Sequence, residues 1–122
     1  MRKEFDLEQR VAEFASRVMA VCDALPQKHG AEHLRDQLFR SASSVAANYA
    51  EASVPESRKD FAHKMNVALK ELVESRMWLR IIAMGRYLPE DRFSSLFTET
   101  DELVKIFSSS VATARRNLSL VK

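Results

Sequence analysis

Only two glycines and three prolines occur among 122 residues, where average usage gives roughly 15. A sandwich or barrel relies on such residues at its many turns, so the chain reads as a few long helices with short connections. The breakers stand where boundaries are wanted: Pro26, Gly30, Pro55, Gly85 and Pro89 divide the chain into four segments. Hydrophobic residues at 46% and charged residues at 30% suit a packed core with a solvated exterior, not a disordered chain. One domain is expected, because two halves of this length would each bury too little apolar surface.

The segments predict helices over about residues 7–25, 31–53, 57–85 and 90–118. In the first, Leu7, Val11, Phe14, Val18, Val21/Cys22 and Leu25 recur at spacings of three and four, which places them on one face. Asp6 fits its N-cap with Gln9 as the reciprocal partner, and Pro26 stops it. The second carries a seam of Leu34, Leu38, Ser41/Ala42, Val45, Asn48/Tyr49 and Ala52. Its middle, Ser41 to Asn48, has almost no bulk, so a neighbour can approach closely and this helix is expected to be central. Ser57-Arg58-Lys59-Asp60 fits a capping box that opens the third helix, followed by a seam of Phe61, Met65, Ala68, Leu72, Ser75, Leu79 and Ile82. Gly85 suits a left-handed residue at that helix's end, and Pro89 suits the first turn of the fourth. There Phe93, Leu96/Phe97, Thr100, Leu103/Val104, Phe107, Val111 and Ala114 face inward. Short connections favour antiparallel neighbours, hence an all-α, up-down-up-down four-helix bundle.

The second half of the third helix is more apolar than one stripe requires. Met77, Trp78, Leu79, Ile81, Ile82 and Met84 spread around its circumference, with Val67 and Val73 outside the seam. A helix of a monomeric bundle keeps one face polar. The excess therefore predicts a homo-oligomer with Met77, Trp78 and Ile81 at the contact; the alternative is that this helix is the most enclosed of the monomer.

Catalytic and metal chemistry find little support. A single cysteine, Cys22, excludes an intrachain disulfide and argues against a Cys-based zinc site. His29 and His33 are four apart but span Gly30, where the helix is expected only to begin. Asp60-x-x-His63 stands alone, whereas a di-iron bundle needs two Glu-x-x-His units and two further glutamates. Neither a Gly-rich phosphate loop nor a nucleophile elbow occurs. The serines of Ser108-Ser109-Ser110 and Ser41 to Ser44 have no histidine nearby in sequence. The expectation is a protein without cofactor, metal or catalytic residues.

Lys plus Arg at 19 against Asp plus Glu at 17 leaves only +2, too little by itself to define a nucleic-acid binder. Phosphate contacts need clusters. Candidates are Arg58, Lys59 and Lys64 opening the third helix, Arg115, Arg116 and Lys122 near the C-terminus, and Arg2, Lys3 and Arg10 near the start. Several pair with acids at helical spacing: Asp6 with Arg10, Glu13 with Arg17, Asp60 with Lys64 and Asp101 with Lys105. Met1-Arg2-Lys3-Glu4-Phe5-Asp6 turns charged at once, and no apolar run approaches about 18 residues, so a cytoplasmic protein without a membrane partner is expected.

The second helix reads Gln37-Leu38-Phe39-Arg40-Ser41-Ala42-Ser43-Ser44-Val45-Ala46-Ala47-Asn48-Tyr49-Ala50-Glu51-Ala52. This resembles the Q-L-x-R-(A/S)-A-x-S-(I/V)-x-x-N-(I/Y)-A-E-G stretch of the four-helix-bundle proteins named after the 23S rRNA intervening sequence. The likeness continues through Leu25-Pro26, Ser57-Arg58-Lys59-Asp60-Phe61, Ala68-Leu69-Lys70-Glu71 and Glu74-Ser75-Arg76-Met77-Trp78-Leu79-Arg80. Ala52 stands where the family usually has Gly, and Lys70-Glu71 where many members have Gly-Ser. The resemblance implies a closed ring of five left-handed bundles and no known enzymatic activity. It also implies kinship with accessory proteins of diversity-generating retroelements, which bind nucleic acid and the reverse transcriptase. Arg40, Asn48, Glu51 and Glu74 match the family's recurring polar positions. They are expected to form an interhelical network that sets register; the alternative is a ligand site lining a cavity of the assembly.

Overall fold

Among the described residues, helical periodicity becomes four helices, α1 (Leu7–Ala24), α2 (His29–Ala52), α3 (Arg58–Met84) and α4 (Ser94–Leu120), with a 3-10 turn at Glu90–Arg92. The structure, a computed structural model, describes residues 6–120; Arg2, Lys3 and Lys122 lie outside them. Cross-helix contacts give the directions. Cys22 and Leu25 meet Arg35, while Arg40, Ser44 and Glu51 meet Glu71 and Glu74, Glu71, and Lys64 in turn. Arg76 meets Asp101, and Arg10 and Arg17 reach Glu99 and Ser95. Each neighbour therefore runs antiparallel to the last, and α1 and α3 occupy opposite corners of the bundle.

Local chemistry explains most boundaries and revises several. Asp6 accepts from the Gln9 backbone N–H at 3.3 Å. The Gln9 side chain turns away and donates to Glu13 instead of returning to the cap. Ser57 accepts from the Asp60 N–H at 3.0 Å, while Asp60 takes the N–H of Glu56 at 3.1 Å, one residue before the expected partner. α2 begins at His29, so Gly30 lies inside its first turn. Pro89 does not open α4; it leads into the 3-10 turn, and α4 starts at Ser94.

Gly85 is a second correction. Its φ is −77°, an ordinary helical value, and the left-handed residue is Arg86 at φ 57°. Glycine is needed here for space: a Cβ at Gly85 would sit 2.8 Å from the Tyr87 ring, and one at Gly30 would sit 2.8 Å from the Tyr87 hydroxyl. Tyr87 thus rests over the ends of α2 and α3 because both helices lack a side chain beneath it.

The core follows the predicted seams. Phe14, Val18, Leu38, Val45, Leu72, Leu79, Ile82, Phe93, Leu103 and Phe107 are sealed from solvent. α3 turns Ala62 inward and leaves Phe61 only partly covered. α2 and α3 pack most intimately: the Ser41 and Ser75 hydroxyls meet at 2.8 Å inside the core, among Ala42, Val45 and Ala68. Arg35, which sequence reasoning passed over, reaches from α2 to the end of α1. It donates to the carbonyls of Cys22 (3.1 Å), Leu25 (2.9 Å) and Pro26 (3.1 Å), satisfying acceptors that a helix end leaves open. Burial beneath this cap pushes the Cys22 thiol up to about 11, so it stays a neutral core side chain.

Gly85→Ala tests the role assigned to Tyr87. Although its backbone angle accommodates alanine, the substitution is expected to cost about 1–3 kcal/mol by overpacking, read from urea unfolding. Most of that cost should vanish when Tyr87→Ala is added.

Candidate functional site

The outer edge of the α2–α3 contact carries a continuous line of polar groups. Arg40 on α2 grips two glutamates of α3: Nη1 donates to Glu71 at 3.2 Å, and Nη2 pairs with Glu74. Ser44 donates to Glu71 at 3.3 Å, and Asn48 donates to the Ser44 carbonyl and hydroxyl at 2.9 and 3.1 Å. In the other direction the Trp78 Nε1–H donates to Glu74 at 2.9 Å, and the His33 ring stands edge-on to the indole at 6.4 Å. Arg40, Asn48 and Glu74 are therefore joined through Glu71 and Ser44. Glu51 is separate; it pairs with Lys64 further along the same edge.

Partial burial alone would raise the Glu74 carboxyl, but the Trp78 N–H and the Arg40 guanidinium outweigh it and hold the group below its ordinary 4.5. The bonds that stabilise the carboxylate suit a register lock between two helices better than a proton donor or a metal ligand. Among the described residues no group of three or more His, Cys, Asp or Glu is arranged to hold a metal ion.

A second ionic cluster joins the sparser α1–α4 contact. Arg10, only 5% exposed, donates to Glu99 through Nε (3.0 Å) and Nη2 (2.7 Å) and to Glu102 at 3.0 Å. These charge-assisted bonds, led by Glu99, raise the guanidinium pKa despite its burial. Arg10, read from the sequence as a surface cation paired with Asp6, lies four residues before Phe14 on the apolar seam itself, a spacing that points to burial. It does not pair with Asp6. Arg17 reaches Ser95 instead of Glu13, Lys64 reaches Glu51 instead of Asp60, and Asp101 takes Arg76 instead of Lys105.

The basic candidates divide. Lys64 is engaged with Glu51. Arg58 and Lys59 are exposed at the opening of α3, and Arg115 and Arg116 near the end of α4; none makes an ion pair among the described residues. Antiparallel packing brings both pairs to the same end of the bundle. An open groove of about 710 Å³ lies at the same end, lined by Arg58 and Phe61 of α3 and by Ile106, Ser109, Thr113 and Asn117 of α4; Lys59, Arg115 and Arg116 do not line it.

The apolar excess of α3 also divides. Trp78 turns toward α2 and lies partly buried against the core. Val73, Met77, Ile81 and Met84 instead form one stripe on the outer face, with Met77 54% and Met84 78% exposed. Their steps of four, four and three keep them in line. Helix α3 has the smallest share of exposed residues of the four helices, yet it leaves this stripe uncovered.

Fold and contacts define an all-α antiparallel four-helix bundle held by interhelical polar locks. The family described as 23S rRNA-intervening sequence protein matches residues 3–109, and the chain belongs to that family. Its structure is similar to the crystal structure of a protein of unknown function from the S23 ribosomal protein family of Bacteroides thetaiotaomicron. The two are 30% identical, with a TM-score of 0.78 over 85% of this chain and 96% of that one. No curated protein sequence matches the chain.

Because Glu74 is held below its ordinary value, its contribution to stability is present above pH 4.5 and is lost as pH falls through the lowered folded value. Trp78, the single tryptophan, reports it. Fluorescence should show a transition below pH 4.5 that Glu74→Gln abolishes. The stability gap between wild type and variant should close over the same range; a gap independent of pH would contradict the assignment.

Proposed function

We propose that this protein is a non-catalytic, homo-oligomeric adaptor of the cytoplasm that binds RNA or DNA through the basic end of its bundle, alone or together with a nucleic-acid enzyme such as a reverse transcriptase. The observation that carries this reading is that Arg58, Lys59, Arg115 and Arg116, exposed and without ion pairs among the described residues, are brought to one end of the bundle, where Arg58 borders an open groove. Hydroxyl and amide groups of Ser109, Thr113 and Asn117, which line that groove together with Arg58, add donors suited to phosphate oxygens. Four cations on one copy bind a polyanion weakly. Repetition of the same end around an oligomer, five-fold if the family resemblance extends to the ring, multiplies the phosphates neutralised together.

Membership of the 23S rRNA-intervening sequence family supports the assembly and its nucleic-acid context. No described helix is long and apolar enough to cross a membrane, which accords with a partner in the aqueous phase. A second reading, a protein–protein scaffold without nucleic-acid affinity, is favoured by the exposed stripe on α3.

A shift assay with generic RNA and DNA separates the two. Binding should weaken steeply between about 50 and 200 mM salt. Replacing Arg58, Arg115 and Arg116 by Gln should flatten the salt dependence by roughly one unit of slope per lost phosphate contact. Absence of any shift at low salt would leave the scaffold reading.

A further inference from the structure

The exposed charges of α1 and α3 have opposite signs. On α3 every exposed charged residue is a cation: Arg58, Lys59, Lys70 and Arg80. On α1 every one is an acid: Glu8, Glu13 and Asp23. The two cations of α1 are occupied, Arg10 by Glu99 and Glu102 and Arg17 by Ser95. The three acids of α3 are engaged: Glu71 and Glu74 hold Arg40 of α2, and Asp60 takes the Glu56 N–H at the helix start.

Shape follows charge. The outer face of α3 presents bulky Val73 and Met77 between Lys70 and Arg80, whereas the outer face of α1 presents small Ser16 and Ala20 between Glu13 and Asp23. The spacings coincide. Each charge pair is ten residues apart, and the intervening residues follow the first charge at three and seven positions in both helices. At 1.5 Å per residue both pairs span about 15 Å. Glu13 receives only a local bond from Gln9, and neither Lys70 nor Arg80 makes an ion pair among the described residues.

We infer that the occupant of the α3 stripe is the α1 face of a second copy of this chain, in parallel register, with Lys70 opposite Glu13 and Arg80 opposite Asp23. The side chains of Val73 and Met77 then fill the shallow surface left by Ser16 and Ala20. A two-fold contact of α3 with α3 sets cation against cation, which like-charge repulsion disfavours. The contact is therefore heterologous, and because its two halves lie on opposite corners of the bundle, every added copy exposes a fresh half. Such a contact builds a ring or a filament rather than a closed dimer. This inference rests on the assembly part of the proposed function and adds its geometry.

Cross-linking reads the geometry directly. A chain carrying Ala20→Cys and Met77→Cys should give a ladder extending beyond the dimer under mild oxidation; the native Cys22 is buried and does not compete. Dimers from Met77→Cys alone would overturn the heterologous contact. Charge reversal tests the pairing. Glu13→Lys with Asp23→Lys should weaken association at least about tenfold, and adding Lys70→Glu with Arg80→Glu should restore it. All four sites are exposed, so helicity and melting of each variant should match wild type. Wild type sedimenting at 13.9 kDa would defeat assembly altogether. An oligomer indifferent to the α1 reversal would defeat only the contact inferred here.

Discussion

The close approach of α2 and α3 is the constraint from which the rest of the architecture follows. Serine and alanine along the middle of α2 let the Ser41 hydroxyl touch Ser75 in the core. At that separation the side chains bordering the contact have one course, which is to reach across it. Arg40 meets Glu71 and Glu74, Ser44 joins Glu71, and Trp78 is drawn over the edge by its bond to Glu74. A larger residue at Ser41 or Ser75 would separate the helices and stretch every one of these bonds. The polar line is a consequence of small side chains beneath it, and in turn it holds one register, the one in which Arg40 reaches both Glu71 and Glu74.

The same geometry disposes of the outer half of α3. With its inner face against the core and one flank committed to α2, Val73, Met77, Ile81 and Met84 have nothing left to cover them. The opposite corner, α1, is held by a different device: the sparse α1–α4 contact is fastened by Arg10 buried against Glu99 and Glu102. Both ionic locks consume charges that would otherwise balance the surface. What remains outside is segregated, acidic on α1 and basic on α3 and the end of α4. The interior bonding thereby shapes the exterior field.

The pairing of charges shows where one-dimensional reasoning reaches its limit. Asp6–Arg10, Glu13–Arg17, Asp60–Lys64 and Asp101–Lys105 all have the spacing of helix-stabilising pairs, and in each the cation or the acid chooses a partner on another helix. A surface pair of that kind is worth only a few tenths of a kcal/mol, so a partner on a neighbouring helix readily displaces it; for Arg10, buried against Glu99, the setting is also drier and the bonds stronger. Gly85 carries a similar lesson: glycine after a helix suggests a left-handed residue, but the space was reserved for Tyr87 and the positive φ fell to Arg86.

By itself the sequence determined the number of helices, their inward faces and their order, because scarce breakers and a period of three to four leave no competing fold. It also marked the family through Arg40, Asn48, Glu51 and Glu74, and the apolar excess of α3. Only the tertiary structure decided that Glu51 stands apart from the other three, that Trp78 turns inward while Met77 and Ile81 remain outside, and that Arg58 and Arg115 belong to one end. These depend on the rotation and separation of helices distant along the chain. Such quantities are set by packing summed over many side chains and are written in no local pattern.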